Sequence, residues 1–334
     1  MSLRAFVTGA SGFVGSTLVR ELHNQGWQVH VLARQSSSME DIADLPMEVH
    51  LGDIVDSASV RDAMPHGVDA VFHVAASTNV WSGNNDEQDR INIGGTRDVI
   101  EAAVNAQAGR FIHTSSFTTW GFHDVTLTEH SPRTADTDWI NYVRTKYIAE
   151  QLVEDAVQSG RLDAVILNPG HILGPGDRRN WSHMISLVEK GKLPGGPPGS
   201  GPFADVREVA KAHIQAFHKG ASGEKYLLGG EFASFMEVIR ITGDILGRPV
   251  PGRPTPAWLM KLAARVYGLL SMVTGKEPEL TPESAAMITR NLLCDSNRAQ
   301  RELGYKFTPV RVLVQETIDW MRDAAMLPEE EQKS

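Results

Sequence analysis

The chain has 334 residues, 41% of them hydrophobic, which suits one large globular unit or two interlocked ones. Its 41 acidic and 32 basic side chains give a formal net charge of −9, which argues against a nucleic-acid-binding surface. The single cysteine, Cys294, excludes an intrachain disulfide and suits a reducing cytoplasm. No uncharged run reaches the ~18 residues of a membrane-spanning helix, and the first strand begins at once, so we expect neither a membrane span nor a signal peptide.

The first half of the chain alternates strands with helices. Strands are predicted at 3–7, 28–33, 48–52, 70–74, 110–115 and 163–168, and helices at 16–25, 57–64, 87–105 and 142–158. Strands separated by helices at this spacing form right-handed crossovers and a parallel sheet covered on both faces. We therefore predict an α/β fold, a Rossmann-type doubly wound parallel sheet.

Three glycines spaced three residues apart follow the first predicted strand, in the turn Thr8-Gly9-Ala10-Ser11-Gly12-Phe13-Val14-Gly15. In a dinucleotide-binding turn the first glycine permits the bend, the second lets the pyrophosphate approach and the third lets the helix pack closely. The helix N-terminus then faces the negative charge. The turn predicts a dinucleotide site, with a structural glycine turn as the alternative.

The residues after the second and third strands bear on the type of dinucleotide. Arg34, followed by hydroxyls at 36–38, stands where an NAD-specific site carries an acid, and a cation there suits a 2′-phosphate. We therefore expect NADP(H) rather than NAD(H), with a solvated surface arginine as the alternative. Asp53 and Ile54 are expected to hold the adenine, although Asp53 is equally compatible with an N-cap.

Tyr142 and Lys146 are four residues apart in a predicted helix and so share a face. A lysine cation beside a phenol lowers its pKa, which would let the tyrosine exchange a proton with a substrate oxygen. The alternative is an ordinary surface pair. Ser115 and Ser116 follow the fifth strand, at the sheet edge where ligands bind in such folds.

Together these motifs resemble the extended branch of the short-chain dehydrogenase/reductase superfamily, the NAD-dependent epimerase/dehydratase family. The resemblance runs from residue 3 to about 322. Its motifs are Thr8 to Gly15, Gly52-Asp53, His73-Val74-Ala75-Ala76, Asn92-Ile93-Gly94-Gly95-Thr96, Ser115-Ser116 with Gly121, Tyr142 with Lys146, Asn168-Pro169-Gly170 with Gly174-Pro175-Gly176, and Asp205 to Ala210.

The resemblance implies a role for each matching residue. Tyr142 would be the general acid/base, Lys146 would hold the nicotinamide ribose, and Ser116, five residues before Gly121, would bond the substrate oxygen, with Ser115 as the second choice. Asn92 is expected to be structural first. The expected cofactor-binding residues are Gly9, Ser11, Gly12, Phe13, Val14, Gly15, Arg34, Asp53, Ile54, Ala75, Ala76, Tyr142, Lys146, Pro169 and Ile172. No metal site is expected.

The resemblance also implies an arrangement of domains and subunits. An NADP-binding domain would comprise residues 1–168 joined by about 203–222, and a smaller C-terminal α/β substrate-binding lobe 169–202 and 223–325, with a tail at 326–334. Long helices at 87–105 and 142–158 would pair in a homodimer, and we expect a cytoplasmic location.

The residues after the candidate catalytic serine narrow the reaction. Sugar-nucleotide 4,6-dehydratases of this branch carry an acidic pair there, whereas this chain has Phe117, Thr118 and Thr119. We expect an NADP(H)-dependent oxidoreductase that reduces a ketone or aldehyde, or oxidises a secondary alcohol, on a small molecule. A sugar-nucleotide epimerase and a non-catalytic dinucleotide-sensing regulator are the alternatives.

The second half of the chain bears on the substrate. A loop is predicted at 191–202, a strand at 225–228, and helices at 206–218, 235–246, 258–273, 298–303 and 310–324. The 258–273 stretch resembles those of dihydroflavonol-reductase-like and 3β-hydroxysteroid-dehydrogenase-like members, which implies a largely apolar substrate. Its apolar positions 259, 262, 263, 266, 269 and 270 share a face, which we expect to pack into the core of the smaller lobe. Lining the pocket, or lying in the plane of a membrane, are the alternatives.

Overall fold

A computed structural model describes residues 2–328, and a seven-stranded parallel sheet lies at its centre. The strands of the described residues are β1 (Arg4–Thr8), β2 (Gln28–Ala33), β3 (Glu48–Leu51), β4 (Ala70–His73), β5 (Arg110–Thr114), β6 (Thr126–Leu127), β7 (Ala164–Pro169), β8 (His171–Leu173), β9 (Ser200–Asp205), β10 (Lys225–Leu228), β11 (Glu231–Ser234) and β12 (Leu293–Cys294). The main sheet has the order β10-β7-β5-β4-β1-β2-β3, and each pair in it is parallel. The predicted parallel sheet is confirmed.

Helices cover both faces of this sheet. Those of the described residues are α1 (Phe13–Asn24), α2 (Ser57–Ala63), α3 (Asn85–Asp89), α4 (Thr96–Asn105), α5 (Asn141–Gln158), α6 (Trp181–Glu189), α7 (Val206–Lys219), α8 (Phe235–Leu246), α9 (Ala257–Thr274), α10 (Pro282–Ile288), α11 (Asn297–Leu303) and α12 (Val310–Asp323). One apolar core joins α1 and α7 to the sheet, and another joins α2, α4 and α5 to its opposite face. Apolar side chains at helical spacing, such as Leu18 and Leu22 of α1, provide these buried stripes. The expected doubly wound arrangement follows.

The smaller lobe contains a three-stranded sheet of order β11-β9-β8, and a third apolar core packs α6, α8 and α12 against it. Two expectations for this region are wrong. The loop predicted at 191–202 ends earlier, because β9 begins at Ser200. Strand β10, which we assigned to the smaller lobe, pairs with β7 in the main sheet. The other domain boundaries stay a prediction.

Helix α9 is oriented differently from our expectation. Leu259, Leu262, Val266, Leu269 and Leu270 are exposed rather than packed into the core of the smaller lobe. The helical spacing of apolar residues identified those on a common face. A helix with small residues on its other face, however, can pack against the protein through either face. Of the expected tail, Met326 and Leu327 pack into the third apolar core, and 329–334 lie outside the described residues.

Candidate active site

The glycine turn brings the ends of β1 and β4 together. Gly9 has φ +77°, and a Cβ there would lie 2.6 Å from the nitrogen of Ala75. A Cβ on Gly15 would overlap the carbonyl oxygen of Gly9. Gly12 stands at the N-cap of α1 and donates its N–H to the Gly9 oxygen at 3.0 Å. Glycine is therefore required at both ends of the turn, and the N-terminus of α1 is open to an anion.

Arg34 follows the end of β2 and is exposed, with no side-chain partner among the described residues.

Asp53 does not cap α2, because Asp56 accepts the N–H groups of Ala58 and Ser59 instead. Asp53 accepts the N–H of Val55 at 3.3 Å. Asp53 is thus not used as a cap, and its contact with adenine stays a prediction.

Ile54 packs inwards, so that a Cβ on Gly95 would lie 2.7 Å from its Cδ1 atom. Its expected contact with adenine also stays a prediction. Pro169 ends β7 at the carboxyl edge of the main sheet, and Ile172 lies in β8, just after it in the chain. Phe13 reaches the same region, where a Cβ on Gly176 would lie 3.5 Å from its ring. The Phe13 ring therefore lies beside Gly176, whereas the expected cofactor contacts of Pro169 and Ile172 stay a prediction.

The two candidate serines have different partners. Ser115 donates a hydrogen bond to Glu150 Oε2 at 2.6 Å. Ser116 accepts one from the Thr118 hydroxyl at 2.9 Å, and its side chain is also a hydrogen-bond partner of Tyr142. The geometry therefore separates Ser116, beside the phenol, from Ser115, which is engaged by a buried carboxylate.

Lys146 is buried, and its Nζ atom donates to the carbonyl oxygen of Thr114 at 2.7 Å. This bond ties α5 to the end of β5, immediately before the two serines. Burial lowers the pKa of Lys146 to about 8, and the negative charge of Glu150 partly opposes that shift. The ammonium group remains largely protonated at neutral pH, with donors left for a further partner.

The expected effect of Lys146 on Tyr142 is wrong for this structure. The pKa of Tyr142 is raised, because burial disfavours the phenolate, and the hydrogen bond with Ser116 only partly opposes this. Desolvation therefore has a larger effect on the pKa of Tyr142 than the hydrogen bond with Ser116. Tyr142 stands as a neutral phenol at neutral pH.

A buried charge cluster, which sequence reasoning missed, lies one turn beyond Lys146. Glu150 is fully buried, and its Oε1 atom lies 3.0 Å from an Arg133 nitrogen and 3.5 Å from Lys225 Nζ. Its Oε2 atom accepts from Asn168 at 2.9 Å as well as from Ser115. The offset of four residues from Lys146 was available in the sequence, but these partners come from distant segments.

Asn92 holds neighbouring segments together, as expected of a structural residue. It exchanges hydrogen bonds with the backbone of Ser77 at 2.7 and 3.0 Å. Its amide also donates to the Thr145 hydroxyl at 3.0 Å, on the helix that carries Tyr142. Asn92 therefore fixes α5 against the segment that follows Ala75 and Ala76.

A sequence model described as the NAD dependent epimerase/dehydratase family matches residues 5–229. The chain belongs to this family. It is thus a member of the extended short-chain dehydrogenase/reductase superfamily of enzymes, as its motifs imply. No helix in the described part of the chain is long and apolar enough to cross a membrane.

Two curated relatives are similar to this chain over nearly its whole length. Sterol demethylase protein B of Methylococcus capsulatus is 31% identical over 97% of this chain and 100% of its own length. A putative dihydroflavonol 4-reductase of Synechocystis sp. is 30% identical over 95% of this chain and 94% of its own. The crystal structure of gox2253, 31% identical, superimposes with a TM-score of 0.83 over 97% of this chain and 99% of that one.

Proposed function

We propose that this enzyme is an NADP(H)-dependent oxidoreductase that reduces a ketone or aldehyde, or oxidises a secondary alcohol. The observation that carries the proposal is the joint placement of Ser116, Tyr142 and Lys146 around the carboxyl edge of the sheet that bears the glycine turn. When bound, the nicotinamide supplies or accepts the hydride. Gly9 and Gly15 let the turn close, since a Cβ at either would clash with backbone atoms, and the uncapped N-terminus of α1 behind the turn fits the pyrophosphate of such a group.

The protonation states favour proton donation to a carbonyl oxygen. Tyr142 holds its proton because burial raises its pKa, so it can pass that proton to the oxygen as negative charge develops there. Ser116 orients the same oxygen through its hydroxyl. Lys146, largely protonated and fixed by the Thr114 carbonyl, stabilises the phenolate that remains and holds the nicotinamide ribose.

The preference for NADP(H) rests on Arg34. Its exposed guanidinium has no partner among the described residues, so it is free to bind a 2′-phosphate. Within this proposal Asp53 and Ile54 hold the adenine, and the backbone of Ala75, Ala76, Pro169 and Ile172 lines the site together with Ser11, Gly12, Phe13 and Val14.

A largely apolar small molecule is the substrate class that we propose. The names of the two relatives at 30% and 31% identity refer to a dihydroflavonol reductase and to a sterol demethylase protein. Aromatic packing follows Ser116 in the chain, since the ring of Phe117 meets His171 edge-on at 5.4 Å. His171 in turn lies 5.1 Å from Phe235.

We also infer a cytoplasmic homodimer that pairs through the helical segment 87–105 and α5. The free thiol of Cys294 suits a reducing compartment. Small-angle scattering tests the dimer, and a monomeric mass would contradict it.

Single-turnover hydride transfer from NADPH to a panel of ketones and aldehydes tests the reaction. Tyr142→Phe should slow the step by about 10²–10⁴-fold, the usual contribution of a positioned acid. Tyr147→Phe is the matched control, because Tyr147 lies on the same helix and its ring packs under Arg133. Equal rates in Tyr142→Phe and the wild type would refute the mechanism. Tightly bound NAD without net cofactor consumption would indicate an epimerase instead.

A further inference from the structure

Helix α9 presents small residues to the protein and large apolar residues to solvent. Its buried residues are Ala264 and Ser271, and a Cβ on Gly268 would lie 3.2 Å from the ring of Pro282. The opposite face carries a stripe of side chains that are between 49% and 87% exposed. This α9 stripe consists of Trp258, Leu262, Val266, Leu269 and Val273.

The α9 stripe is part of a continuous apolar patch. Nine of the 17 large apolar side chains exposed among the described residues belong to this one helix. Scattered exposed apolar residues are ordinary, whereas a contiguous patch marks a surface that another body covers.

The charges of α9 indicate what covers it. Lys261 and Arg265 are its only charged residues, and both are exposed. They lie one turn apart beside the stripe; Arg253 precedes the helix, and Lys276, Glu277 and Glu279 follow it, so that residues 253–279 carry four bases and two acids. A local excess of positive charge on a chain of net charge −9 is complementary to an anionic surface. Long basic side chains beside an apolar face reach lipid phosphates while their stems stay in apolar surroundings.

The patch adjoins the candidate active site. The segment after α9 is fastened to the loop that follows β4, where Asn79 donates to Glu277 at 3.0 Å and Thr281 donates to the Val80 carbonyl at 2.8 Å. In α10, which comes next, Met287 packs in a cluster with Tyr142. A body seated on α9 would therefore lie close to the mouth of the site.

We propose that α9 docks onto an anionic lipid membrane. The helix lies in the plane of the interface, with the α9 stripe at the boundary of the acyl chains and Lys261 and Arg265 at the phosphates. Its mid-helix charges fit an in-plane orientation rather than a span. The inference rests on the surface alone and is independent of the reaction proposed above.

Flotation with phospholipid vesicles tests the proposal. The wild-type protein should float with phosphatidylcholine vesicles that contain phosphatidylglycerol, and Leu262→Glu/Leu269→Glu should bind at least about tenfold more weakly. Trp139→Glu is the matched control, because Trp139 is an equally exposed apolar residue outside the patch. These positions are exposed, so each variant should keep the wild-type melting temperature.

A second variant examines the charges. Lys261→Ser/Arg265→Ser should lose about tenfold or more in affinity for the anionic vesicles while binding phosphatidylcholine alone like the wild type. Failure of the wild type to float, or equal flotation of Leu262→Glu/Leu269→Glu, would overturn the proposal. So would a lipid-free dimer that the same variant converts to a monomer, since the patch would then bind a second copy of the chain.

Discussion

Ser115 donates a 2.6 Å hydrogen bond to the buried carboxylate of Glu150, and this bond distinguishes two adjacent serines that the sequence leaves as competitors. Ser115 lies in the structural network under the site, together with Asn168, which donates to the same carboxylate oxygen at 2.9 Å. Ser116 is the serine that pairs with Tyr142. Two adjacent residues therefore have different roles: Ser115 is structural, and Ser116 is the serine that we propose to be catalytic.

Removal of each hydroxyl should have a different consequence. Ser116→Ala should lower kcat by about 10²–10³-fold, as loss of one donor to a developing oxyanion does, and should also cost about 1–3 kcal/mol of unfolding free energy because the buried Thr118 hydroxyl loses its acceptor. Ser115→Ala leaves Glu150 short of a buried hydrogen bond, so it should cost about 1–3 kcal/mol of unfolding free energy. Single-turnover rates and thermal melts of both variants check this. A larger rate loss in Ser115→Ala would reverse the assignment.

Glu150 should set the pH range of activity through Lys146. Its carboxylate raises the pKa of Lys146, which burial lowers to about 8. In Glu150→Gln that pKa should fall further, so activity that needs the ammonium should be lost at lower pH, by about fivefold at pH 8 and about tenfold at pH 9 for a shift of one unit.

Glu154→Gln is the control for this experiment. Glu154 also pairs with Arg133, at 3.0 Å, but it does not perturb the pKa of Lys146. The pH–activity profile of Glu154→Gln should match that of the wild type on its alkaline side. Both Glu150→Gln and Glu154→Gln should have lower melting temperatures than the wild type, because each loses an ion pair. Coincident profiles for Glu150→Gln and the wild type would contradict the proposed coupling.

Much of the fold and of the candidate site could be predicted from the spacing of residues within single helices, strands and turns. The need for glycine at positions 9 and 15 could be predicted, because a tight turn next to a strand excludes side chains. All the residues that impose this requirement lie within the eight-residue turn from Thr8 to Gly15. Tyr142 and Lys146 could be paired because residues four apart share a helical face. Both inferences use only the geometry of one element.

Features that depend on distant segments could not be predicted. The burial of Tyr142, which raises its pKa, and the pairing of Glu150 with Arg133 and Lys225 arise from how separate elements pack. The α9 stripe shows the same limit, because periodicity shows which residues share a face without showing whether that face points inwards.

Arg34 should determine the choice between the two dinucleotides. Its exposed guanidinium has no partner among the described residues, so Arg34→Asp should remove a charge-assisted contact with the 2′-phosphate and introduce repulsion. We expect NADPH to bind about tenfold or more weakly, with NADH affinity unchanged or improved. Titration calorimetry with both cofactors measures this, and a wild type that prefers NADH would overturn the NADP(H) assignment.

Buried histidines should make the protein sensitive to acid. Burial lowers the pKa of His73 to about 3 and that of His213 to about 4. Such a side chain stays neutral in the folded protein but is protonated in the unfolded chain below about pH 6.5. The free energy of unfolding is therefore unaffected above that pH and decreases as the pH drops towards 4. At pH 5 His213 alone should cost about 2 kcal/mol relative to pH 7.

His213→Gln tests this relationship, because glutamine does not titrate and retains a polar group for the Thr114 hydroxyl, which lies 2.7 Å from His213 Nε2. The variant should be less stable than the wild type at pH 7, and the difference should shrink by about 2 kcal/mol at pH 5. Urea unfolding at the two pH values measures it, with His130→Gln as the exposed control. A constant difference between wild type and His213→Gln would show that folding leaves the pKa of His213 unchanged.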